Sequence, residues 1–505
     1  MERSDRRYAL VLSLALAILS LFRFYYIVNG PIDLSPDEAH YWEWSRRLDI
    51  SYYSKGPLIA YLIYVGAVLF GDTVFAVRYM AVVMSALTSI IVYRLVIEMY
   101  RDRAVALVSA LLLQVVPMFS TYAVVFTIDA PFTFLWTLCL YLSWRAVNYD
   151  RNGYFLVWAM LGLAMGFGLL AKYTMAFFHL CALLFLAFTK KRALLRTIKP
   201  YIAVVVSAVV FSPVVYWNYK HGWVTVKHTA GQAHVHDGVN VSLSSFFEFL
   251  GSQVGIVTPA LFIMIFYAIY KLKRYEKGIQ SDFLFYFSMP VMAFFLAKSV
   301  QGKVQANWAM TAYITGLIAF AKVFFTARFK FLTGSAVGLA FILTAVSHYP
   351  MMLGLNPELD PSSKLRGWSE LGQFVDEIYD DMKTKGNVLI FSDKYQVSSE
   401  LAFYMKDHPE VYCIRSLGRR MNQYDLWSGI KEAVENMRKI DPTKPINGIF
   451  VRIGADELPD KAKGFFRSCQ KTPFNVFEGE NLLRDYSIFV CEDYIAINDV
   501  EPESF

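Results

Sequence analysis

Long apolar runs separated by short polar loops recur through the first two-thirds of this chain, and nothing else in it limits folding so strongly. Many approach the roughly 20 residues that a helix needs to cross a hydrocarbon core. In that medium every backbone N–H and C=O must be satisfied within the segment, which leaves the α-helix as the spanning form for runs of this length. Composition agrees: of 505 residues, 56% are hydrophobic and 18% charged, unlike a soluble globular domain. A polytopic α-helical membrane protein is therefore expected. The net charge of +7 invites a nucleic-acid reading, yet the basic residues sit in short loops between apolar runs, as membrane orientation demands. No nucleic-acid-binding module is legible.

The expected spans run over 8–28, 74–98, 104–123, 130–147, 154–171, 173–189, 200–218, 246–270, 282–299, 308–326 and 331–348, about eleven helices. The basic start Arg3, Arg6, Arg7 lacks a small-residue cleavage site downstream, so the first run reads as an uncleaved span. Pro57–Phe70 is apolar but short and is assigned as an interfacial or re-entrant piece. Loop charge tests that choice. With this piece excluded, Arg101 and Arg103, Arg145 and Arg151, the cluster Lys190 to Lys199, Lys271 to Lys277, and Arg328 with Lys330 all share the side of the basic N-terminus, which makes that side cytoplasmic. The opposite, extracytoplasmic face then carries 32–56, the turn 126–131, Lys172, the loops 221–245 and 301–308, and everything beyond about 349.

The chain changes character after Pro357 and Pro361. Strand-like runs Asn387–Phe391, Gly448–Arg452 and Ser487–Val490 alternate with helix-like stretches Ser398–Met405 and Ile430–Arg438. This pattern predicts a membrane region over 1–350 and a soluble α/β domain over 351–505. Cys139 and Cys181 lie in apolar runs. Cys413, Cys469 and Cys491 lie in the α/β region without metal-ligand spacing, and allow one disulfide.

Candidate chemistry gathers at the extracytoplasmic boundary. In Ser35-Pro36-Asp37-Glu38, Ser35 suits a helix N-cap, Pro36 the first helical position, and Glu38 the return bond of a capping box. Asp37 is left at the helix N-terminus as a general base for an acceptor hydroxyl, its bland alternative being a solvated helix-end charge. Tyr41, Trp42 and Trp44 read as an interfacial helix at headgroup level. Asp129 starts a span, where capping is the simplest role. Lys55, Lys172 and Lys303 reach the same face and suit a lipid phosphate and its developing charge on departure. The run Gln301–Trp308 offers Asn307 and Trp308 as substrate contacts. His221, His228, His234 and His236 read as ordinary loop histidines, with no metal-ligand set legible. The polar patch Gly418–Tyr424 is a surface or a contact for an anionic acceptor.

Taken together, Asp37-Glu38, Tyr53-Ser54-Lys55-Gly56-Pro57, Thr127-Ile128-Asp129-Ala130-Pro131, Ala171-Lys172-Tyr173 and Lys303 to Trp308 resemble the GT-C glycosyltransferases of the protein O-mannosyltransferase and lipid A aminoarabinose transferase group. The resemblance covers most of the membrane region. It implies an inner-membrane transferase that moves a sugar from a polyprenyl-phosphate donor, with inversion, to a hydroxyl of a lipid, glycan or protein. It further implies Asp37 as the base, Lys55 and Lys172 as donor-phosphate contacts, and Asp129 as a residue that helps build the cavity. The residues themselves add Glu38 and Asp129 as catalytic candidates, Lys303 as a further phosphate contact, and His40, Tyr41, Asn307 and Trp308 as substrate contacts. Two positions depart from the group: Ser54 stands where an acidic residue precedes the first-loop lysine, and His40 where an arginine follows the aspartate. The sugar therefore stays open. A lysine clamp needs no catalytic metal and leaves a divalent metal open as an alternative without support in the residues. The rival readings are a flippase for lipid-linked sugars, whose charges belong nearer the bilayer midplane, and a non-catalytic sensor using the α/β region as its binding module.

Overall fold

The computed structural model describes residues 3–148, 155–232, 241–325, 329–350, 354, 356–357, 360–454 and 456–497. Helix α1 (Arg3–Asn29) is followed by α2 (Pro36–Ser45), α3 (Leu58–Phe70), α4 (Val74–Tyr100), α5 (Arg103–Val115), α6 (Pro117–Thr121), α7 (Asp129–Asn148), α8 (Phe155–Ala171), α9 (Ala176–Ala187) and α10 (Lys199–Lys220). The membrane region continues through α11 (Val224–Gln232), α12 (Leu243–Val257), α13 (Pro259–Lys271), α14 (Ile279–Tyr286), α15 (Met289–Ser299), α16 (Ala312–Phe324) and α17 (Lys330–His348). On α1, Leu10, Leu14, Ile18, Leu21, Tyr25 and Val28 form an exposed stripe at helical spacing, while Leu12, Leu16, Tyr26 and Ile27 are buried. An outward apolar stripe of that length is stable only against lipid.

Among the described residues, five helices are long and apolar enough to cross a membrane, or six if one bent pair counts as a single span. Five more apolar helices have only 10–17 residues, Leu58–Phe70 among them. The expected single span over 246–270 is corrected: α12 and α13 meet at 97°. The cause is local. Pro259 disfavours helical geometry at the residue before it, and Thr258 adopts φ 83. The expected span 104–123 is also interrupted, before Pro117, whereas 282–299 falls within the crossing helix Ile279–Ser299. The loop expected over 221–245 contains α11, and its His234 and His236 lie outside the described residues, as do Arg151 and Arg328.

The C-terminal region holds α18 (Trp368–Lys385), β1 (Asn387–Ser392), α19 (Tyr395–Tyr404), β2 (Val411–Cys413), α20 (Ile430–Ile440), β3 (Ile446–Ile453), β4 (Phe466–Glu478) and β5 (Asn481–Tyr494). The sheet order is β2-β1-β3-β5-β4. β1 pairs in parallel with β2 and β3, and β5 is antiparallel to β3 and β4. The parallel half needs helical crossovers, which α19 and α20 supply. The antiparallel half is a hairpin whose two-residue turn places Gly479 at φ 60, as its first position requires. β4 has a polar alternation and contains Pro473, acceptable because it is the edge strand. A disulfide joins Cys469 to Cys491 across β4 and β5.

Helix α2 turns its aromatic run into the protein: Tyr41, Trp42 and Trp44 are all buried. They share one hydrophobic cluster with Ile59 and Ile63 of α3, Val77 of α4, and Leu401, Phe403 and Ile449 of the C-terminal region. Trp42 meets Phe403 edge-on, with ring centroids 5.0 Å apart. The aromatic run is therefore the joint between the two regions.

The capping box is present, with Ser35 Oγ accepting from Glu38 N and Glu38 Oε2 accepting from Ser35 N at 2.9 Å. Glu38 also takes a bidentate pair from Arg78 on α4, 2.8 Å at each oxygen, and accepts the Phe126 N–H at 2.7 Å. Arg78 in turn donates to the Ile32 and Asp33 carbonyls. Both side chains are fully buried. Removing one partner of such a pair strands the other charge, which costs about 3–5 kcal/mol. Arg78→Ala should therefore depress the melting temperature in detergent far more than the paired change Glu38→Gln with Arg78→Met. Equal losses for the two would show that the pair carries no such weight.

Candidate active site

Asp37 and Lys55 face a common cavity of about 370 Å³ between the membrane region and the α/β layer. The capping box fixes Glu38 inward, so the preceding residue on the first turn of α2 points the other way, into the cavity. Asp37 has accessible surface there, yet the walls enclose it. That loss of water raises its pKa above the ordinary carboxylate value, against the opposing pull of Lys55 and a 3.4 Å hydrogen bond from the Tyr395 hydroxyl.

Gly56 brings Lys55 to its place. A Cβ at that position would sit 2.2 Å from the Leu170 carbonyl oxygen, so only glycine lets this loop press on the end of α8. Lys172 follows two residues after Leu170. Its like charge and the enclosure lower the pKa of Lys55 to about 8, with enclosure the larger cause.

Asp129 is not a simple cap. Its Oδ1 lies 2.6 Å from Lys172 Nζ, and its Oδ2 accepts from Asn307 Nδ2 at 2.8 Å. The three are held beside the cavity as one unit, with the Lys172 ammonium also over the Phe132 ring at 5.5 Å. Asn307 thus orients a carboxylate rather than standing free for substrate.

Other expected site residues fall elsewhere. Glu38, expected to be catalytic, has both oxygens committed to Arg78 and to backbone N–H groups, so it positions Asp37 instead. Lys303 is 65% exposed, pairs with Glu248 at 2.8 Å and does not line the cavity. Trp308 packs on Phe295. His40 borders the cavity, but both ring nitrogens are engaged: Nε2 accepts from Trp44 Nε1 at 3.2 Å, which leaves Nδ1–H to donate to Ser399 at 3.0 Å. Burial pushes its pKa down to about 3. It is a neutral rivet between α2 and α19. Tyr41 is buried and lines the cavity. His221 stacks on Trp217, while His228 reaches the cavity wall from α11. Among the described residues no three His, Cys, Asp or Glu side chains group to hold a metal ion.

Sequence reasoning missed Tyr395 and Lys394, which the α/β layer adds to the wall, and it missed Arg78. The last had a signal: an arginine inside an apolar run implies a buried partner. A larger cavity, about 670 Å³, lies between the ends of α1 and α4 and the β4–β5 hairpin. Of the charges there, Arg366 pairs with Asp360 and Glu478, Asp33 accepts the Trp368 N–H, and Glu370 accepts the Ser369 hydroxyl.

The structure superposes on ArnT from Cupriavidus metallidurans bound to undecaprenyl phosphate with a TM-score of 0.64, covering 94% of this chain and 97% of that one at 15% identity. The family model described as dolichyl-phosphate-mannose-protein mannosyltransferase matches residues 54–217. The lipid A galacturonosyltransferase RgtD of Rhizobium johnstonii is 29% identical over 301 residues, 59% of this chain and 62% of that protein. The undecaprenyl phosphate-alpha-4-amino-4-deoxy-L-arabinose arabinosyl transferase of Erwinia tasmaniensis is 33% identical over 190 residues, 33% of this chain and 32% of that one. The chain thus matches less than two-thirds of either relative's length. Sequence and fold together make the chain similar to ArnT and to the lipid A sugar transferases named above.

The electrostatics of the two lysines can be read without turnover. Lys172→Met removes a like charge beside Lys55 and leaves Asp129 uncompensated; both changes favour the Lys55 ammonium. The pH midpoint for acylation of Lys55, followed by mass spectrometry, should lie near 8 in the native protein and move upward in this variant. An unmoved midpoint would show that Lys172 does not act on Lys55.

Proposed function

We propose that this protein is an integral membrane glycosyltransferase that passes a sugar from a polyprenyl-phosphate donor to a hydroxyl of a lipid A-like acceptor on the extracytoplasmic face of the inner membrane. The observation that carries this reading is Asp37 and Lys55 facing one cavity at the junction of the membrane and α/β regions. Residues 1–350 supply the reaction centre and 351–505 its extracytoplasmic cover. The relatives named for lipid A and undecaprenyl phosphate support a lipid acceptor and a polyprenyl donor. The basic loops on the opposite side support the orientation, and so does the Cys469–Cys491 disulfide, a bond that persists outside the reducing cytosol.

In the reaction, Asp37 takes the proton of the acceptor hydroxyl. The freed oxygen attacks the anomeric carbon in line as the bond from that carbon to the phosphate oxygen breaks. The sugar is transferred with inversion, and polyprenyl phosphate departs with its added negative charge held against the Lys55 ammonium. Lys172, fixed by Asp129, adds positive potential beside that charge. Asp37 suits the base role because its raised pKa makes it a better proton acceptor than an exposed carboxylate.

The decisive experiment is mass spectrometry of envelope glycolipids from cells lacking the protein, complemented with native chain or Asp37→Asn at equal membrane abundance. The native chain should restore a sugar-sized increment on one glycolipid, and Asp37→Asn should reduce it about 100-fold or more, the scale of general-base loss. Equal restoration would exclude Asp37 as the base and favour transport. The pH dependence of kcat/KM offers an independent check. Activity should fall with acid as Asp37 protonates, at a pH above the ordinary carboxylate range, and fall with alkali as Lys55 loses its proton near 8. In Lys55→Arg the alkaline limb should move up, since a guanidinium stays charged.

A further inference from the structure

The α/β layer places more positive charge in the cavity than the transfer step uses. Lys394, at the start of α19, and Arg420, in the loop after β2, both line it, and both are exposed. Their neighbours show the contrast. Arg419 is bound at 2.8 Å to each oxygen of Asp425 and to the carbonyls of Cys413 and Ile414, so it builds the loop. Arg420 and Lys394 make no ion pair among the described residues. Arg420 lies close enough to Tyr53, His228 and Tyr395 to act on each of them electrostatically.

The carboxylates on the wall do not balance these cations. Asp393 is tied to Arg452 at 3.0 Å, and Asp37 faces Lys55 across the reaction centre. Two cations on one wall of a narrow cavity repel each other, and a doubly oxygenated anion relieves both at once through charge-assisted hydrogen bonds. The planar guanidinium suits a carboxylate or a phosphate, and the ammonium adds a point charge.

We infer that Lys394 and Arg420 form a second oxyanion subsite, for a carboxylate or phosphate that one substrate carries in addition to the donor's lipid phosphate. This rests on the transferase reading and assigns the C-terminal region a part in substrate choice: it selects for that second charge. Two sources share this chemistry, an acidic sugar on the donor and a phosphate on the acceptor.

The test measures equilibrium binding to the full-length protein in detergent with two matched pairs of probes. One pair is undecaprenyl phosphate carrying galacturonic acid or galactose; the other is lipid A with or without its phosphates. The native protein should prefer the acidic member of one pair, and the doubly substituted Lys394→Gln, Arg420→Gln protein should lose about 10- to 100-fold of affinity for that member. Its neutral counterpart should change by less than about 2-fold on the same scale, and Arg420→Lys should restore part of the difference. The pair that responds identifies the source. The inference is overturned if the native protein shows no preference within either pair, or if the double substitution weakens both members alike. Failure of the transferase reading is seen separately, as probes that bind and are never converted. Both side chains are exposed, so their replacement leaves the fold intact.

Discussion

The bidentate pair between Glu38 and Arg78 is the constraint on which the rest of this architecture depends. Neither side chain touches water, so each is tolerable only because the other is there, with backbone groups filling the remaining valences. Through it α4 is fastened to the loop before α2 and to the backbone at Phe126, just ahead of the turn that begins α7. Two carboxylate-bearing segments, one carrying Asp37 and the other Asp129, are therefore referenced to a single buried point. Because Glu38 is held inward, Asp37 is turned outward.

From that geometry follows a division of charge. Asp129 neutralises Lys172 and is steadied by Asn307, which leaves Asp37 and Lys55 as the charged pair facing the open space. Enclosure acts on both in opposite senses, raising the carboxyl and lowering the ammonium. Each group is thereby brought to titrate nearer to neutral pH than its exposed counterpart. The walls that cause this enclosure come partly from the C-terminal region, through Tyr395 and the residues around Arg420. The region is thus part of the cavity wall, joined to α2 by the neutral His40 rivet and by buried Trp42 and Trp44.

Much of this was legible one residue at a time. The capping box at Ser35 and Glu38 is a local pattern and formed as local physics requires. The three strands read from apolar runs are present; of the two missed, β2 spans only three residues, and β4 is an edge strand whose polar alternation and Pro473 hide it from a hydrophobicity search. Asp129 and Lys303 show where such reading stops. The aspartate looked like a cap and the lysine like a phosphate ligand. The first found Lys172, 43 positions away, and the second found exposed Glu248.

By itself, the sequence determined that this chain lives in a membrane, which side its basic loops prefer, and where carboxylates and lysines gather along it. These properties depend on transfer free energy and on short-range backbone patterns, which add up along the chain without reference to its path. Only the tertiary structure decided which of two adjacent acids faces the cavity, which lysine is left unneutralised, and that the α/β layer closes the chamber. Those outcomes depend on partners 40, 43 and 178 positions apart. Charge and hydrogen bonding in a dry interior are settled by distances that no local pattern specifies.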